Sequence, residues 1–351
     1  MSQTDFADIK MRQQKRYQGW LSSMINYSGF LVLLTALLSS VVCLDVDAGE
    51  PDQRVDESVV SDQVRSSVGR LKSFGDESIL KQYAPDPERE KDIQRLLPNY
   101  QVTQKGTSDR RIRDQAIKRL NKIQLTNSGR QMANNVVDKL SLFRRMPEVC
   151  FEVNPETYEY FVGHPDIVVS LWQAMGISGM KLRQTGKFKY ELDNNDGTVC
   201  DLYYLRKSKT TNVIYCQGKF KSPLLKNPIQ ARGVLCLHSK FEKHKDGTIF
   251  VRHHADVFLR FPSPAVETAA RLISPVSNYI ADRNFQEISL FMHSISLTMA
   301  RQPSWVQQIA SQLPGVHPNR SRELQEIVRK NYQANQKRLA TRWDEFQSPA
   351  L

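Results

Sequence analysis

His238, His244, His253 and His254 fall in one stretch of the chain, and the near-neutral pKa of imidazole makes each a candidate base or metal ligand. His253 is the leading one. On the strand-like run from Thr248 to Phe261, period-two spacing puts Ile249, Val251, His253, Ala255, Val257, Leu259 and Phe261 on one face, so His253 is a polar point in an apolar row. With Asp256 or Tyr190 as a second titratable group, it could act as acid or base in a cyclase- or hydrolase-like reaction. The competing reading is a core histidine with both nitrogens hydrogen-bonded. Adjacent His253 and His254 point to opposite faces of a strand and cannot grip one ion together, and His238 and His244 add no usual ligand spacing, so no metal site is expected.

The chain has no nucleophile elbow, no phosphate-binding glycine loop and no paired-cysteine metal motif, and Gly176-Ile177-Ser178-Gly179 reads as a turn. No cofactor is expected, and binding is favoured over catalysis. Beyond residue 48 the cysteines are Cys150, Cys200, Cys216 and Cys236. Cys216 and Cys236 lie about equally far from the turn-rich segment Leu224 to Pro228, so a hairpin there would let them face each other as a disulfide. The alternative is that all four are small buried apolar residues.

These residues need elements to hold them. Asp109 to Leu142 carries two amphipathic helical stretches, one on Ile112, Ala116, Ile117, Leu120 and Ile123, the other on Met132, Val136, Val137, Leu140 and Leu142. Pro147 to Val153 reads as a strand, and Asn154-Pro155-Glu156 starts the first of two short helices that end near Gly176. Five strand-like runs follow. Leu182 to Leu192 alternates as one strand, with Phe188 and Tyr190 on its apolar side. Then come Thr198 to Arg206, Asn212 to Lys221, Ala231 to Phe241 and Thr248 to Phe261, separated by turn signals at Asn194 to Gly197 and Lys245-Asp246-Gly247. Short turns between consecutive strands imply an antiparallel sheet. After Phe261-Pro262-Ser263-Pro264 a long helix runs to about Arg301, kinked near Pro275. The tail from 303 on is helical, polar and marked by a narrow apolar stripe at Leu324, Ile327 and Val328. It reads as an appendage.

Strand, two short helices, antiparallel strands and one long C-terminal helix is an order that resembles the START-like, or SRPBCC, helix-grip superfamily over about residues 146–302. Trp172 near the end of the helical pair and the long helix after Pro264 anchor the resemblance. It implies an α+β fold in which a curved antiparallel sheet wraps the last helix, here with extra helices at both ends. Members include lipid-transfer proteins, polyketide cyclase-like proteins and plant ligand receptors, so the resemblance implies a cavity more than a chemistry. In this chain that cavity would be lined by Phe188, Tyr190, Ile214, Val251, His253, Val257, Ile288, Met292 and Ile295, and would suit a lipid or other hydrophobic small molecule. Apolar residues at these periods are also what core packing alone demands.

The N-terminal region carries an export signature. Lys10, Arg12, Lys15 and Arg16 precede an apolar run from Phe30 to Leu44, and no charged residue occurs from Trp20 to Leu44. The strongly apolar part falls short of the ~20 residues of a comfortable membrane-spanning helix, so cleavage after Ala48 is favoured over retention as an anchor. Val42 lacks the small side chain that a lipoprotein signal would place before Cys43. The expected destination is the periplasm or the cell exterior, or the outer side of a membrane if the segment stays. Residues 49–108, broken by Pro85, Pro87 and Pro98, read as a flexible leader.

Residues 1–48 hold equal numbers of acidic and basic side chains, so the formal net charge of +12 belongs entirely to the rest of the chain. Outside the cytoplasm that charge suits an anionic membrane surface. The lack of aromatic interleaving argues against nucleic acid. A structural or interaction role in the cell envelope is the remaining alternative.

Overall fold

The computed structural model describes Leu97 and residues 99–194, 198–220, 229–272 and 274–347. The export segment, most of the leader, and residues 195–197 and 221–228 lie outside the described residues. Among the described residues no helix is long and apolar enough to cross a membrane.

The architecture is α+β. Strand β1 (Tyr100–Gln104) precedes helices α1 (Arg110–Lys122) and α2 (Asn127–Val137), then β2 (Leu142–Arg145) and β3 (Glu148–Glu152). Helices α3 (Pro155–Gly163) and α4 (Pro165–Ala174) lead into β4 (Lys181–Gly186), β5 (Lys189–Asp193), β6 (Val199–Arg206), β7 (Thr211–Phe220), β8 (Ile229–Lys243) and β9 (Ile249–Arg260). Helices α5 (Pro264–Leu272), α6 (Ser274–Arg301), α7 (Pro303–Ala310) and α8 (Pro318–Gln347) follow. All strands join one nine-stranded sheet in the order β1-β3-β9-β8-β7-β6-β5-β4, with β2 also on β9, and every pairing is antiparallel.

Local signals set the element ends. Asn154 caps α3 by accepting from the Thr157 N–H at 3.1 Å, with Pro155 at the start of the helix, where its missing N–H costs nothing. Asp109 caps α1 through the N–H groups of Arg111 and Ile112. β2 and β3 share one edge of β9, and the break between them falls at Met146-Pro147. Met146 still donates to the Ala255 carbonyl at 2.8 Å, whereas Pro147 has no N–H to offer the ladder.

Both faces of the sheet are covered. The inner face forms one continuous buried cluster with α3, α4 and α6, including Phe151, Tyr158, Phe161, Trp172, Val251, Val257 and Phe291. The outer face of β7, β8 and β9 forms a second cluster with α1 and α2, through Ala116, Leu120, Ala133, Val136, Val213, Val234 and Phe258. Helix α6 is the sheet's gripped helix. From Ile288 to Ala300 almost every side chain is buried, a pattern that requires cover on more than one side.

The second cover is α8, and this revises the tail from appendage to packed layer. Leu324 and Val328 are fully buried in the inner cluster. The Asn331 side chain donates to the Ser296 carbonyl and to Thr157 Oγ1, each at 3.1 Å. A stripe too narrow to build a core suffices to cap one.

Four further expectations change. The end of the supposed leader forms β1, which pairs with β3. Leu142, read as helical, begins β2. Leu182 to Leu192 is a hairpin, because Gln184 pairs with Tyr190 and Leu182 with Leu192. The two-residue turn at Lys187 and Phe188 pairs Gly186 with Lys189 and by itself would flip parity, but a register shift between Gln184 and Gly186 restores it, so the period-two pattern reads through the hairpin undisturbed. Finally, Cys216 and Cys236 are free. The register pairs Cys216 with Gly233 and Cys236 with Val213, which puts Cys216 in the inner cluster and Cys236 in the outer one. No disulfide can join opposite faces of a sheet.

Gly218 marks a close approach in this sheet. A Cβ there would run into the Val199 carbonyl oxygen and come within 2.8 Å of Cys200 Cα, both backbone atoms that cannot swing aside. Gly218→Ala is expected to lower stability by roughly 1–3 kcal/mol, read as an earlier denaturant midpoint, whereas Gly179→Ala, with open space around it, should leave the midpoint within about 0.5 kcal/mol.

Candidate functional site

His253 sits at the centre of the inner face, on β9 opposite Val149 of β3 and Ser239 of β8. It is 4% exposed. Its Nε2 lies 2.8 Å from Ser289 Oγ of α6, and its Nδ1 lies 2.9 Å from the Tyr158 hydroxyl of α3. Tyr158 in turn lies 2.7 Å from Ser239 Oγ.

The end of this chain fixes every proton in it. Ser289 donates its only proton to the Phe285 carbonyl at 2.7 Å, so toward His253 it can only accept, and Nε2 carries the hydrogen. A neutral ring then accepts at Nδ1 from Tyr158, and Ser239 donates to Tyr158. Burial holds the imidazole in that neutral form, pushing its pKa down to about 3, with a smaller push from His254. Burial likewise raises the Tyr158 hydroxyl well above its ordinary range. Phe151 and Phe285 pack against the ring, with centroids at 5.1 Å and 4.9 Å. Both nitrogens are occupied, water is excluded and the pKa lies far from neutrality. The arrangement ties sheet, α3 and α6 together and is unsuited to general base work.

The partners proposed for His253 do not reach it. Asp256 faces outward with Arg145, and Tyr190 donates to the Gly163 carbonyl at 3.3 Å. Of the expected lining residues, Tyr190, Ile214, Val251, Val257, Ile288, Met292 and Ile295 do converge with His253 in the inner cluster, as tightly buried side chains. Phe188 does not. It lies on the β4–β5 turn, 46% exposed.

Concave space lies instead at the mouth of the grip, where β2 and the end of β9 meet α5 and the start of α6. A cleft of about 330 Å³ opens there, with Leu140, Leu142, Phe143, Val257 and Leu259 as apolar wall and Arg113, Arg144 and Arg271 as basic lining. Arg144 Nε is held by Asp282 at 3.0 Å, and Arg271 by Glu267 at 2.8 Å, so both guanidinium groups are pre-positioned. Val257 is the one expected lining residue that this cleft includes. A second cleft of about 530 Å³, between the start of α4, β4 and the start of α8, is polar, with Asp166, Arg183, Gln184, Arg320 and Glu323 in its wall. His253 lines neither.

The outer face of β8 and β9 carries a second group of titratable side chains. His238 and His254 are direct cross-strand partners, with ring centroids 5.2 Å apart. Asp256, on the same face, is 1% exposed and receives Arg145 in a two-pronged contact, Nε to Oδ1 at 2.7 Å and Nη2 to Oδ2 at 3.0 Å. Arg119 reaches Oδ2 at 3.5 Å, and His238 Nε2 lies 3.9 Å from the same oxygen. Linear spacing missed this group because only the β8–β9 register brings residue 238 beside residue 254.

No protein-family model matches this chain, and no curated protein does. Solved structures similar to parts of it include a conserved protein from Geobacillus kaustophilus, 14% identical, with 43% of this chain and 93% of that one covered, at a TM-score of 0.29. A protein from Rhizobium leguminosarum is 14% identical over 41% of this chain and 95% of its own, TM-score 0.22. Ara h 8.0201 is 9% identical over 41% of this chain and 98% of its own, TM-score 0.24. At these scores the likenesses carry no argument about this chain, and its fold rests on its own strand order and packing.

Burial makes the protein acid-sensitive in a defined window. His253 is pushed down to about 3 and His293, on α6, to about 4, while an unfolded histidine takes its proton near 6.5. Between those values the unfolded chain binds protons that the folded one refuses, so the stabilisation is complete above pH ~6.5 and lost as the pH falls. Each residue should cost about 2 kcal/mol between pH 7 and pH 5, and urea unfolding at the two values checks it; equal stabilities would refute it. Ser289→Ala, which strands the Nε2–H, should cost about 1–3 kcal/mol at pH 7 in the same assay.

Proposed function

We propose that this chain is a non-catalytic binding domain of the START-like, helix-grip kind, taking a small hydrophobic molecule with an acidic group, or one end of a lipid, at the mouth between β2–β9 and α5–α6. The observation that carries this reading is the mouth cleft itself, an apolar wall drawn from both the inner and the outer cluster and lined by three arginines. Its volume of about 330 Å³ is at the lower end of the ~300–1,000 Å³ usual for ligand pockets, which favours a compact ligand. Arginine forks suit a carboxylate or phosphate. The enzymatic alternative is disfavoured because its only base is sealed in the core with both nitrogens engaged.

Two further parts of the reading follow from charge and sequence order. Helix α1 contributes Arg113 to the cleft and exposes Arg110, Arg111, Lys118 and Lys122, a basic surface beside the entrance that suits docking on anionic lipid. The basic-then-apolar N-terminal segment supports delivery of the domain across a membrane.

The purified full chain should retain or take up one equivalent of a fatty acid such as oleate, seen by native mass spectrometry and by displacement of a fluorescent fatty-acid probe. Leu142→Trp, which fills a half-buried position of the cleft wall, should weaken uptake at least tenfold, and Arg271→Ala, which removes an exposed guanidinium, severalfold. Absence of any displaceable probe, or unchanged uptake by Leu142→Trp, would overturn the reading.

A further inference from the structure

The outer-face group on β8 and β9 sets two imidazoles with unengaged nitrogens beside the Asp256 carboxylate. Among the described residues the His238 side chain forms no hydrogen bond, and its Nε2 approaches Asp256 Oδ2 at 3.9 Å. His254 Nε2 is buried without a hydrogen-bond partner, and its Nδ1 has only a 3.9 Å approach to Glu148 Oε2. An imidazole nitrogen buried without a partner is costly, and a bound ion or water is one arrangement that would satisfy it. One ligand atom from each of His238, His254 and Asp256 lies within 4.8 Å of the other two.

We propose that His238, His254 and Asp256 form a binding site for a divalent transition-metal ion on the outer face of the sheet. Two imidazoles and one carboxylate are a donor set for zinc and its neighbours, and a poor one for calcium or magnesium, which prefer oxygen ligands throughout. Metal–ligand bonds of about 2.0–2.1 Å in a tetrahedron place the ligand atoms ~3.3 Å apart. The widest separation must therefore close by up to about 1.5 Å, through rotation of the two rings on their fixed strands. A neutral imidazole presents one bare nitrogen, so each ring can offer a lone pair to such an ion. Three protein ligands leave a fourth position for solvent or an exogenous anion.

Arg145 is the counterweight. Its fork on Asp256 fixes the carboxylate, as outer-shell partners of metal ligands do. Together with Arg119 it also brings positive charge against the ion. That repulsion limits affinity and selects for ions that bind imidazole strongly, with copper and zinc ahead of manganese.

The test uses the full chain, untagged and stripped of metal. Titration with Co(II) should produce visible d–d absorption that saturates at one equivalent and is bleached by Zn(II), while Ca(II) and Mg(II) leave it unchanged. His238→Gln and His254→Gln should each weaken Co(II) binding at least tenfold, with circular dichroism and metal-free unfolding like the parent's to show that both variants fold. No saturable absorption in the parent, or equal absorption in both glutamine variants, would overturn the proposal.

Discussion

Strand β9 has no free edge and no free face, and the rest of the molecule is arranged around that constraint. β8 pairs with it along one side from Ile249 to Arg260, and β3 and β2 share the other side. Its odd-numbered residues feed the inner cluster, while Phe258 joins the outer one. A strand enclosed this way can carry polar side chains only if each finds a partner. His253 finds Tyr158 and Ser289 inward, and Asp256 finds Arg145 outward. His254, with a buried nitrogen left unpaired, is the exception.

The inward chain from Ser239 through Tyr158 and His253 to Ser289 explains why the grip is closed at its centre. It bridges β8, α3, β9 and α6 with directional bonds, so it fixes the rotation of α6 as well as its distance from the sheet. Apolar packing alone would tolerate repacking at modest cost. A fully satisfied buried network does not, because any shift leaves a donor or acceptor stranded. The mouth cleft lies away from this network, where β2 is only four residues long and α5 gives way to α6.

The outer helices and the C-terminal helix share one logic. α1 and α2 cover the outer face of β7 to β9, and α8 covers the side of α6 turned away from the sheet. Neither α1 nor α8 has a broad apolar surface, and neither needs one, because each completes a core built by other elements. Their exposed sides carry much of the chain's basic charge, and the arginines of the mouth cleft come one each from α1, β2 and α5.

The sequence by itself determined what local physics controls. Period-two apolar rows, the Asn154-Pro155 cap and the turn at Asp246-Gly247 marked out an antiparallel sheet followed by a long helix after Pro264, and the inward set around His253 could be read from β9 alone. The tertiary structure decided everything that depends on register and closure. The register shift beside the two-residue turn restores side-chain parity, so one strand and the β4–β5 hairpin look alike in sequence, and Phe188 reads as inward although it is exposed. A register set by the whole β7–β8 ladder moved Cys236 to the face opposite Cys216. The same kind of register brought His238 beside His254, a proximity no linear spacing encodes. Period two says which way a side chain points; only the packed neighbours say whether it meets a cavity, a hydrogen-bond partner or another side chain.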